Sequence, residues 1–350
     1  MRSVLSSLSH NDPRSDYQRG RRRSLLCLAG LAALLLGAAL LSLAAGSYHT
    51  PLGELVKGLF GAAADSNINL VVRSNRLPRI CTALLAGAGL GASGCVLQAI
   101  LRNPLASAST LGVSQGAGFG AAFAIIALGL SGGAAIPLCA FAGSMAVALL
   151  ILLLSRFRQI SAQGIVLAGV AISSMFTGAT TLMQYFADEV QLSTLLFWTF
   201  GDLGATGWGD VGLLALISLA VCLAFVAQRW DFNALLSGEE TAVSLGIRVR
   251  RLTLCNMVLC CLLSSLIVSQ VGLISFIGLA APHMVRLVVG SNHVYLLPGS
   301  MLAGALLLLL GDLLARVAIS PAILPIGAIT SFLGGPLFLY LLFKGGRKPC

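Results

Sequence analysis

Residues 76–120 read RLPRICTALLAGAGLGASGCVLQAILRNPLASASTLGVSQGAGFG. The segment opens with two arginines around a proline and continues as a glycine-rich apolar run. It turns at Arg102-Asn103-Pro104 and becomes apolar again at once. Small residues let helix backbones approach closely in lipid. The pattern therefore predicts a helical hairpin inside a bilayer, with arginines at both mouths.

The composition of the whole chain favours a membrane location. Of its 350 residues, 57% are hydrophobic and 10% are charged, whereas a soluble domain carries about 25% charged residues. A spanning helix needs about 20 mainly apolar residues. We therefore predict an all-α polytopic membrane protein with about ten transmembrane helices. The predicted spans are Leu25–Ala45, Ile80–Leu101, Leu111–Leu130, Ala134–Leu154, Ala162–Met183, Val211–Gln228, Leu252–Val271, Ile274–Val289, Leu296–Ala318 and Pro325–Phe343.

The loops between the spans are brief, which predicts one membrane domain over residues 24–344. A basic cytoplasmic tail (1–23) precedes it and a short cytoplasmic tail (345–350) follows. The tail could instead lead a cleaved signal peptide, but the first apolar run is long enough to span and its cleavage match is weak. The eighth span is short and contains Pro282, so we expect other helices to bury it.

The basic residues are distributed unevenly between the two sides of the predicted bundle. With the N-terminus inside, most of the 22 basic residues fall on the inner side, as the positive-inside rule requires. Both termini are therefore predicted to be cytoplasmic, and the net charge of +10 is explained by topology and anionic lipid rather than by nucleic acid. The outer side holds Lys57, Arg73, Arg76, Arg79 and, near a helix end, Arg316.

Several motifs are absent or misleading. No GxxxxGK[ST] occurs, so the chain is not expected to bind ATP by a P-loop of its own. Gly89–Gly94 matches GxGxxG but lies within an apolar span, where a dinucleotide site is not expected. The pairs Gly87/Gly91 and Gly116/Gly120 instead predict close helix packing. The cysteines and histidines are scattered without metal-ligand spacing. We predict no enzyme activity, no metal site and no cofactor bound by this chain.

Two groups of charged residues near the outer side suggest function. Arg76 and Arg79 flank Pro78, a residue that suits the first turn of a helix. Two cations there oppose the helix dipole, so either an acidic partner surface or lipid headgroups must compensate. Asp312 and Arg316 are four residues apart in the ninth span, a spacing that permits an ion pair. Arg316 either neutralises Asp312 or faces outward beside the other two arginines.

The longest inner loop spans about 229–251 and reads as one or two short helices. Such a helix could lie on lipid or dock in a groove of a soluble partner. The acidic pair in this loop favours the protein partner. The candidate contact residues are Leu235, Leu236, Ser237, Gly238, Glu239, Glu240, Thr241, Ala242, Val243, Ser244, Leu245 and Gly246. On the outer side, Leu192–Phe200 is too short to span and predicts an interfacial or re-entrant helix.

The chain resembles FecCD-type permeases, the family of iron–siderophore, haem and vitamin B12 importers, from about Tyr48 to Lys344. The motifs that carry this resemblance are RLPR at Arg76–Arg79, NPLA at Asn103–Ala106, LGVSQGAG at Leu111–Gly118, FWTFGDL at Phe197–Leu203, SGEETAVSLGI at Ser237–Ile247, FIGLAAPHMVR at Phe276–Arg286, LLPGS at Leu296–Ser300 and LPIGAITSFLGGPLFLYLL at Leu324–Leu342. The basic tail to Arg23 lies outside the resemblance.

The resemblance implies a type II ABC importer permease in the cell (inner) membrane, working as a homodimer around a central path. It implies two cytoplasmic ATPase subunits, which hold ATP and Mg, docked on the loop near Leu235–Gly246. It also implies an extracytoplasmic substrate-binding protein whose glutamates meet arginines at the positions of Arg76, Arg79 and Arg316. This implication favours docking over headgroup contact.

The path and its substrate are less defined. The outer half of the fifth helix, with Met175, Phe176 and Met183, is the candidate path lining. These residues could equally serve to pack the helix against its neighbours. An iron chelate (ferric siderophore, haem) or a cobalamin-like molecule is the expected substrate, and some relatives carry molybdate or tungstate. The alternative function is an ion-coupled secondary transporter, which needs polar coupling residues near the bilayer midplane. Only Pro282 with His283 and the Asp312/Arg316 pair approach that requirement.

Overall fold

A computed structural model describes residues 13–46, 50–157, 162–319 and 322–345. In these ranges the chain forms helices and no strand. The α-helices are α1 (Pro13–Ala44), α2 (Leu52–Leu59), α3 (Ser66–Leu70), α4 (Leu77–Ile100), α5 (Val113–Ala122), α6 (Ala135–Phe157), α7 (Ala162–Tyr185), α8 (Glu189–Phe200), α9 (Trp208–Ala227), α10 (Arg229–Leu236), α11 (Glu239–Ser244), α12 (Val249–Val271), α13 (Ile277–Val289), α14 (His293–Val317) and α15 (Ile326–Gly345).

Each predicted span corresponds to an apolar helix. Seven helices in the described ranges are long and apolar enough to cross a bilayer, and three shorter apolar helices lie at Val113–Ala127, Ile277–Val289 and Ile326–Leu341. The all-α membrane architecture with about ten helices is therefore confirmed. The predicted interfacial helix is α8, and the predicted loop helices are α10 and α11. Most of the basic tail (1–12) and the last residues (346–350) lie outside the described residues.

Helix α4 is the centre of the bundle and packs against α9, α12, α13 and α14. The GxxxG pair on α4 makes this packing possible. A Cβ at Gly87 would overlap the backbone of Gly304, and a Cβ at Gly91 would overlap the carbonyl of Ser300. The second predicted pair, Gly116/Gly120, meets α6 in the same way. Backbone-to-backbone contact between α4 and α14 thus replaces the side-chain interdigitation of a soluble core.

The entry into α4 differs from the prediction. Pro78 was expected to start a helix, but the chain is already helical from Ser66, through α3 and a π-helical segment at Val71–Arg76. The proline ring clashes with the carbonyl four residues earlier in an α-helix. The wider π turn, in which Leu77 N–H donates to the Val72 carbonyl, accommodates that ring. Consequently Arg76 and Arg79 lie inside a continuous helix, and the expected conflict with an N-terminal dipole does not arise.

Helix α13 is a half-helix that begins in the middle of the bundle. Its Gly278 packs directly on Gly94, well inside α4. Its 13 residues extend about 20 Å, less than the hydrocarbon thickness of about 30 Å. Other helices enclose it, and Ala281 and Pro282 are buried. The expectation that the eighth span is short and protected by its neighbours agrees with this arrangement.

The bundle has two polar ends, which we name by their contents. The arginine end holds Arg76, Arg79 and Arg316, together with the last residues of α1. The loop end holds α10 and α11. Helices α4 and α14 run between the two ends in opposite directions, so each carries residues of both.

We expect Gly91→Ala to reduce the yield of folded protein, because the added methyl group forces α4 away from α14. Overpacking of this kind costs about 1–3 kcal/mol. Gly118→Ala is the matched control, since no atom lies within 4 Å of the added carbon. Thermal unfolding in detergent, followed by size-exclusion chromatography, measures both variants. Equal midpoints for the two variants would contradict the tight α4–α14 contact.

Candidate functional site at the two polar ends of the bundle

The arginine end is built around the C-terminus of α1. The last carbonyls of a helix lack partners within the helix and carry partial negative charge. Arg76 Nη1 donates to the Leu43 carbonyl at 2.8 Å, and Arg316 Nη1 donates to the Ala45 carbonyl at 2.9 Å. Arg316 also donates to the Ser42 hydroxyl at 2.6 Å. Two arginines from α14 and the π segment therefore cap α1.

Asp312 links this cap to α4. Its carboxylate is fully buried and accepts from Arg79 Nε on one oxygen (2.7 Å) and from Arg316 Nε on the other (3.0 Å). Both arginine side chains are at most 10% exposed. A buried charge is tolerated only when it is paired and hydrogen-bonded. The three side chains therefore form a mutually dependent cluster that joins α1, α4 and α14.

A second carboxylate borders the cluster. Asp202, in the loop after α8, lies 3.5 Å from Arg79 Nη1 and is 56% exposed. The same loop hydrogen-bonds to the end of α12, because Asp202 N–H donates to the Val271 carbonyl at 3.0 Å. The cluster thus contains three arginines and two carboxylates, and Asp202 is its exposed member.

The structure resolves one choice that the sequence left open and qualifies another. Arg316 pairs with Asp312 within the chain rather than facing outward alone. Arg76 and Arg79 are also buried, at 5% and 6% exposure. Their predicted role in docking stays a prediction. Sequence reasoning missed Asp202 and Ser42 as members of this cluster.

At the loop end, α10 is fastened to the start of α14. The Asn233 amide oxygen accepts from the His293 backbone N–H at 2.7 Å, and its NH2 group donates to Asn292 Oδ1 at 2.9 Å. Phe232 is fully buried and contacts the His293 ring. These contacts hold the loop helices against the transmembrane bundle.

Helix α11 turns one face inward and another to the surroundings. Ala242 is fully buried, as is Leu235 of α10 at 2% exposure. Leu236, Val243 and Leu245 are 50–66% exposed and lie in polar sequence outside the spans. Glu239 forms an exposed ion pair with Arg102 at 2.9 Å, which joins α11 to the turn after α4. The loop end therefore presents an apolar patch (Leu236, Val243, Leu245) with an acidic edge.

A groove runs along α7, the helix predicted to line a path. Its volume is about 810 Å³, and its lining is uncharged. The lining residues are Ser109, Thr110, Val170, Ser173, Ser174, Thr177, Gly178, Thr181 and Leu182. Several of these hydroxyls donate to the carbonyl one turn earlier, as Ser173 does to Gly169 at 2.7 Å. A serine or threonine in that state presents mainly oxygen lone pairs to the groove.

The three candidate lining residues occupy different positions on α7. Met175 is 59% exposed. Phe176 packs edge-on against Phe119, with ring centroids 5.4 Å apart. Met183 packs against a buried apolar cluster that includes Leu195. None of the three lines the groove itself, so their role in a path remains a prediction. Within the described residues no group of three His, Cys, Asp or Glu side chains could hold a metal.

The described part of the chain is thus an all-helical apolar bundle with one buried half-helix, α13, and two differently built polar ends. The family model of the FecCD transport family matches residues 34–344. The chain belongs to the FecCD transport family, whose members are transport permeases rather than enzymes. It is accordingly a multi-pass membrane permease of the ABC importer type.

Individual relatives agree with this assignment. An ABC transporter permease protein of Methanocaldococcus jannaschii, MJ0087, is 45% identical over 87% of this chain and 90% of its own length. The Fe(3+)-citrate import system permease protein YfmE of Bacillus subtilis is 36% identical over 94% and 98%. A solved structure of a metal-chelate type ABC transporter in an inward-facing conformation has a TM-score of 0.80 at 33% identity and covers 91% of this chain and 98% of that one.

We expect Asp312→Asn to lower the free energy of unfolding by about 3–5 kcal/mol, because it leaves two buried arginines without their shared counter-ion. Asp202→Asn is the matched control. Its carboxylate is half exposed, so its removal should change stability by about 1 kcal/mol or less. Thermal unfolding of both variants in the same detergent tests the difference. A stable Asp312→Asn protein would show that the cluster does not hold the helices together.

Proposed function

We propose that the chain is the membrane subunit of a binding-protein-dependent importer that moves an iron chelate into the cytoplasm. Two copies would enclose a central path, two ATPase subunits would bind the loop end, and a substrate-binding protein would bind the arginine end. The observation that carries this proposal is the pair of unlike ends on one bundle. An exposed apolar patch is present at one end, and a buried arginine cluster with one exposed carboxylate is present at the other.

The loop end would face the cytoplasm. The basic residues of the sequence concentrate on this side, which supports that orientation and cytoplasmic termini. Leu236, Val243 and Leu245 have the exposure of anchors that enter a groove of a soluble protein. Because Ala242 and Leu235 are held inside the bundle, a force on α11 would be passed to the spanning helices.

The groove along α7 would line the path. Its oxygen lone pairs and apolar side chains suit a bulky chelate that carries its own hydrogen-bond donors. They offer no cation to a small oxyanion, which supports an iron chelate over molybdate or tungstate. The relative that imports Fe(3+)-citrate and the metal-chelate transporter structure point to the same substrate class.

The mechanism that follows is alternating access. ATP binding would close the two ATPase subunits, and α10 and α11 would convert closure into rigid-body motion of the helices. The contacts of Asn233 with Asn292 and His293 would pass that motion into α14. Helix α14 reaches the arginine end, where substrate would be delivered. The permease would thus supply the path, and the partner subunits would supply the energy.

We expect Val243→Asp combined with Leu245→Asp to abolish co-purification of the ATPase subunits, because charged groups cannot fill an apolar groove. Native mass spectrometry of complexes purified in mild detergent measures the composition. Ser244→Ala is the control, since this exposed hydroxyl bonds only within its own helix in the described structure. If the unmodified chain purifies alone and uptake follows an ion gradient instead of ATP, the secondary-transporter alternative replaces this proposal.

We expect Asp202→Asn to tighten docking of the substrate-binding protein by up to about fivefold, because it removes a carboxylate that competes for Arg79 at an exposed position. Binding to the permease in nanodiscs at low salt measures the dissociation constant. Asp231→Asn, at the loop end, is the control and should change nothing. Unchanged or weaker docking of Asp202→Asn would assign the arginines a purely structural role.

A further inference from the structure

The chain between α12 and α13 is not helical, although it lies deep in the bundle. Gly272 and Phe276 both have positive φ, at 79° and 65°. A phenylalanine in that region is uncommon and indicates a constrained backbone. Gly272 contacts Gly201 near the arginine end, whereas Gly278 rests on Gly94, six residues before the end of α4, so the segment runs from that end to membrane depth. We call residues 272–276 the mid-membrane break.

The mid-membrane break carries backbone groups without protein partners. In the part of the chain that the structure describes, the N–H groups of residues 273–276 donate no hydrogen bond. Unpaired backbone groups cost several kcal/mol in hydrocarbon. Non-helical backbone at this depth is therefore found where it is enclosed by protein or borders a water-filled cavity.

A small cavity adjoins the mid-membrane break. Its volume is about 10 Å³. Its walls come from α4, α12, the turn before α5 and the start of α13. The lining residues are Leu90, Ser93, Ser107, Ala108, Ser109, Ser264, Ile274, Phe276, Gly278 and Leu279.

Two serine hydroxyls in this cavity lack partners. Ser93 Oγ and Ser264 Oγ make no hydrogen bond with any described residue. Both side chains are buried, at 1% and 0% exposure. Ser93 belongs to α4 and Ser264 to α12, so the two residues come from different walls of the cavity. An unpaired buried hydroxyl costs about 1–3 kcal/mol, and both residues line the same cavity.

We propose that the cavity binds a single water molecule, which bridges Ser93, Ser264 and the free N–H groups of the mid-membrane break. The volume matches the minimum of about 10–15 Å³ that one water needs, and a buried water needs two to four polar partners. A cation is disfavoured, because the positive end of α13 points toward the cavity and its lining contains no carboxylate. A chelate is far too large.

The site lies directly behind the wall of the groove along α7. Ser109 lines both the cavity and the groove. A bound water can exchange one hydrogen-bond partner for another as the helices shift, which a fixed side chain cannot do. The water would therefore keep the mid-membrane break satisfied while α13 moves relative to α12. This role is independent of the identity of the transported substrate.

A structure of the intact complex, at a resolution that shows ordered water, tests the site directly. We expect one density peak within hydrogen-bonding distance of both Ser93 Oγ and Ser264 Oγ. An empty cavity would overturn the proposal. Rotation of both hydroxyls toward the carbonyls one turn earlier in their helices would overturn it as well, because each hydroxyl would then be satisfied without water.

A double-mutant cycle tests whether the two hydroxyls share one ligand. Ser93→Ala and Ser264→Ala should each lower the thermal midpoint of the complex by about 2 °C or more. The double variant should melt close to the worse single variant, because the first substitution already disrupts the water. Effects that add fully would overturn the proposal. Ser93→Ala combined with Ser218→Ala is the control pair and should add, since Ser218 does not line the cavity.

Discussion

The absence of water from the bilayer core governs this structure. Every backbone N–H and carbonyl at membrane depth needs a partner, either from the protein or from enclosed water, so the spanning segments are helices. Because lipid is as apolar as leucine, burial of apolar surface does not hold the helices together. Contacts between backbones do so instead, and Gly87, Gly91 and Gly94 let α4 touch α13 and α14 directly.

Charged groups inside the bundle likewise need a partner. Asp312 is buried together with Arg79 and Arg316. Arg76 and Arg316 also donate to carbonyls at the end of α1, and Arg316 donates to the Ser42 hydroxyl. Each of these contacts offsets the desolvation cost of burying its two charged or polar partners. The cluster thus closes the bundle at one end, while the Asn233–Asn292–His293 contacts close it at the other. Both sets of contacts include residues at an end of α14.

Hydropathy predicted the ten apolar segments, and the GxxxG spacing predicted the close contacts of α4, since both depend on local sequence. The Arg316–Asp312 pair was also within reach, because the two residues are one helical turn apart. The pairing of Arg79 with Asp312 was not, since these residues are 233 positions apart. The π segment before Pro78 escaped prediction because proline was expected to begin a helix. Asp202 looked like an ordinary loop acid and gains its role only from tertiary structure.

Helix α14 has fixed attachments at both ends, and its 25 residues span about 37 Å. Its Gly304 and Ser300 are in backbone contact with α4, so it cannot bend away without separating two main chains. A rod that is clamped at its ends and supported at its centre behaves as a strut. Helix α14 therefore connects the two faces of the membrane directly, and we expect a displacement of one end to reach the other without any change in helix length.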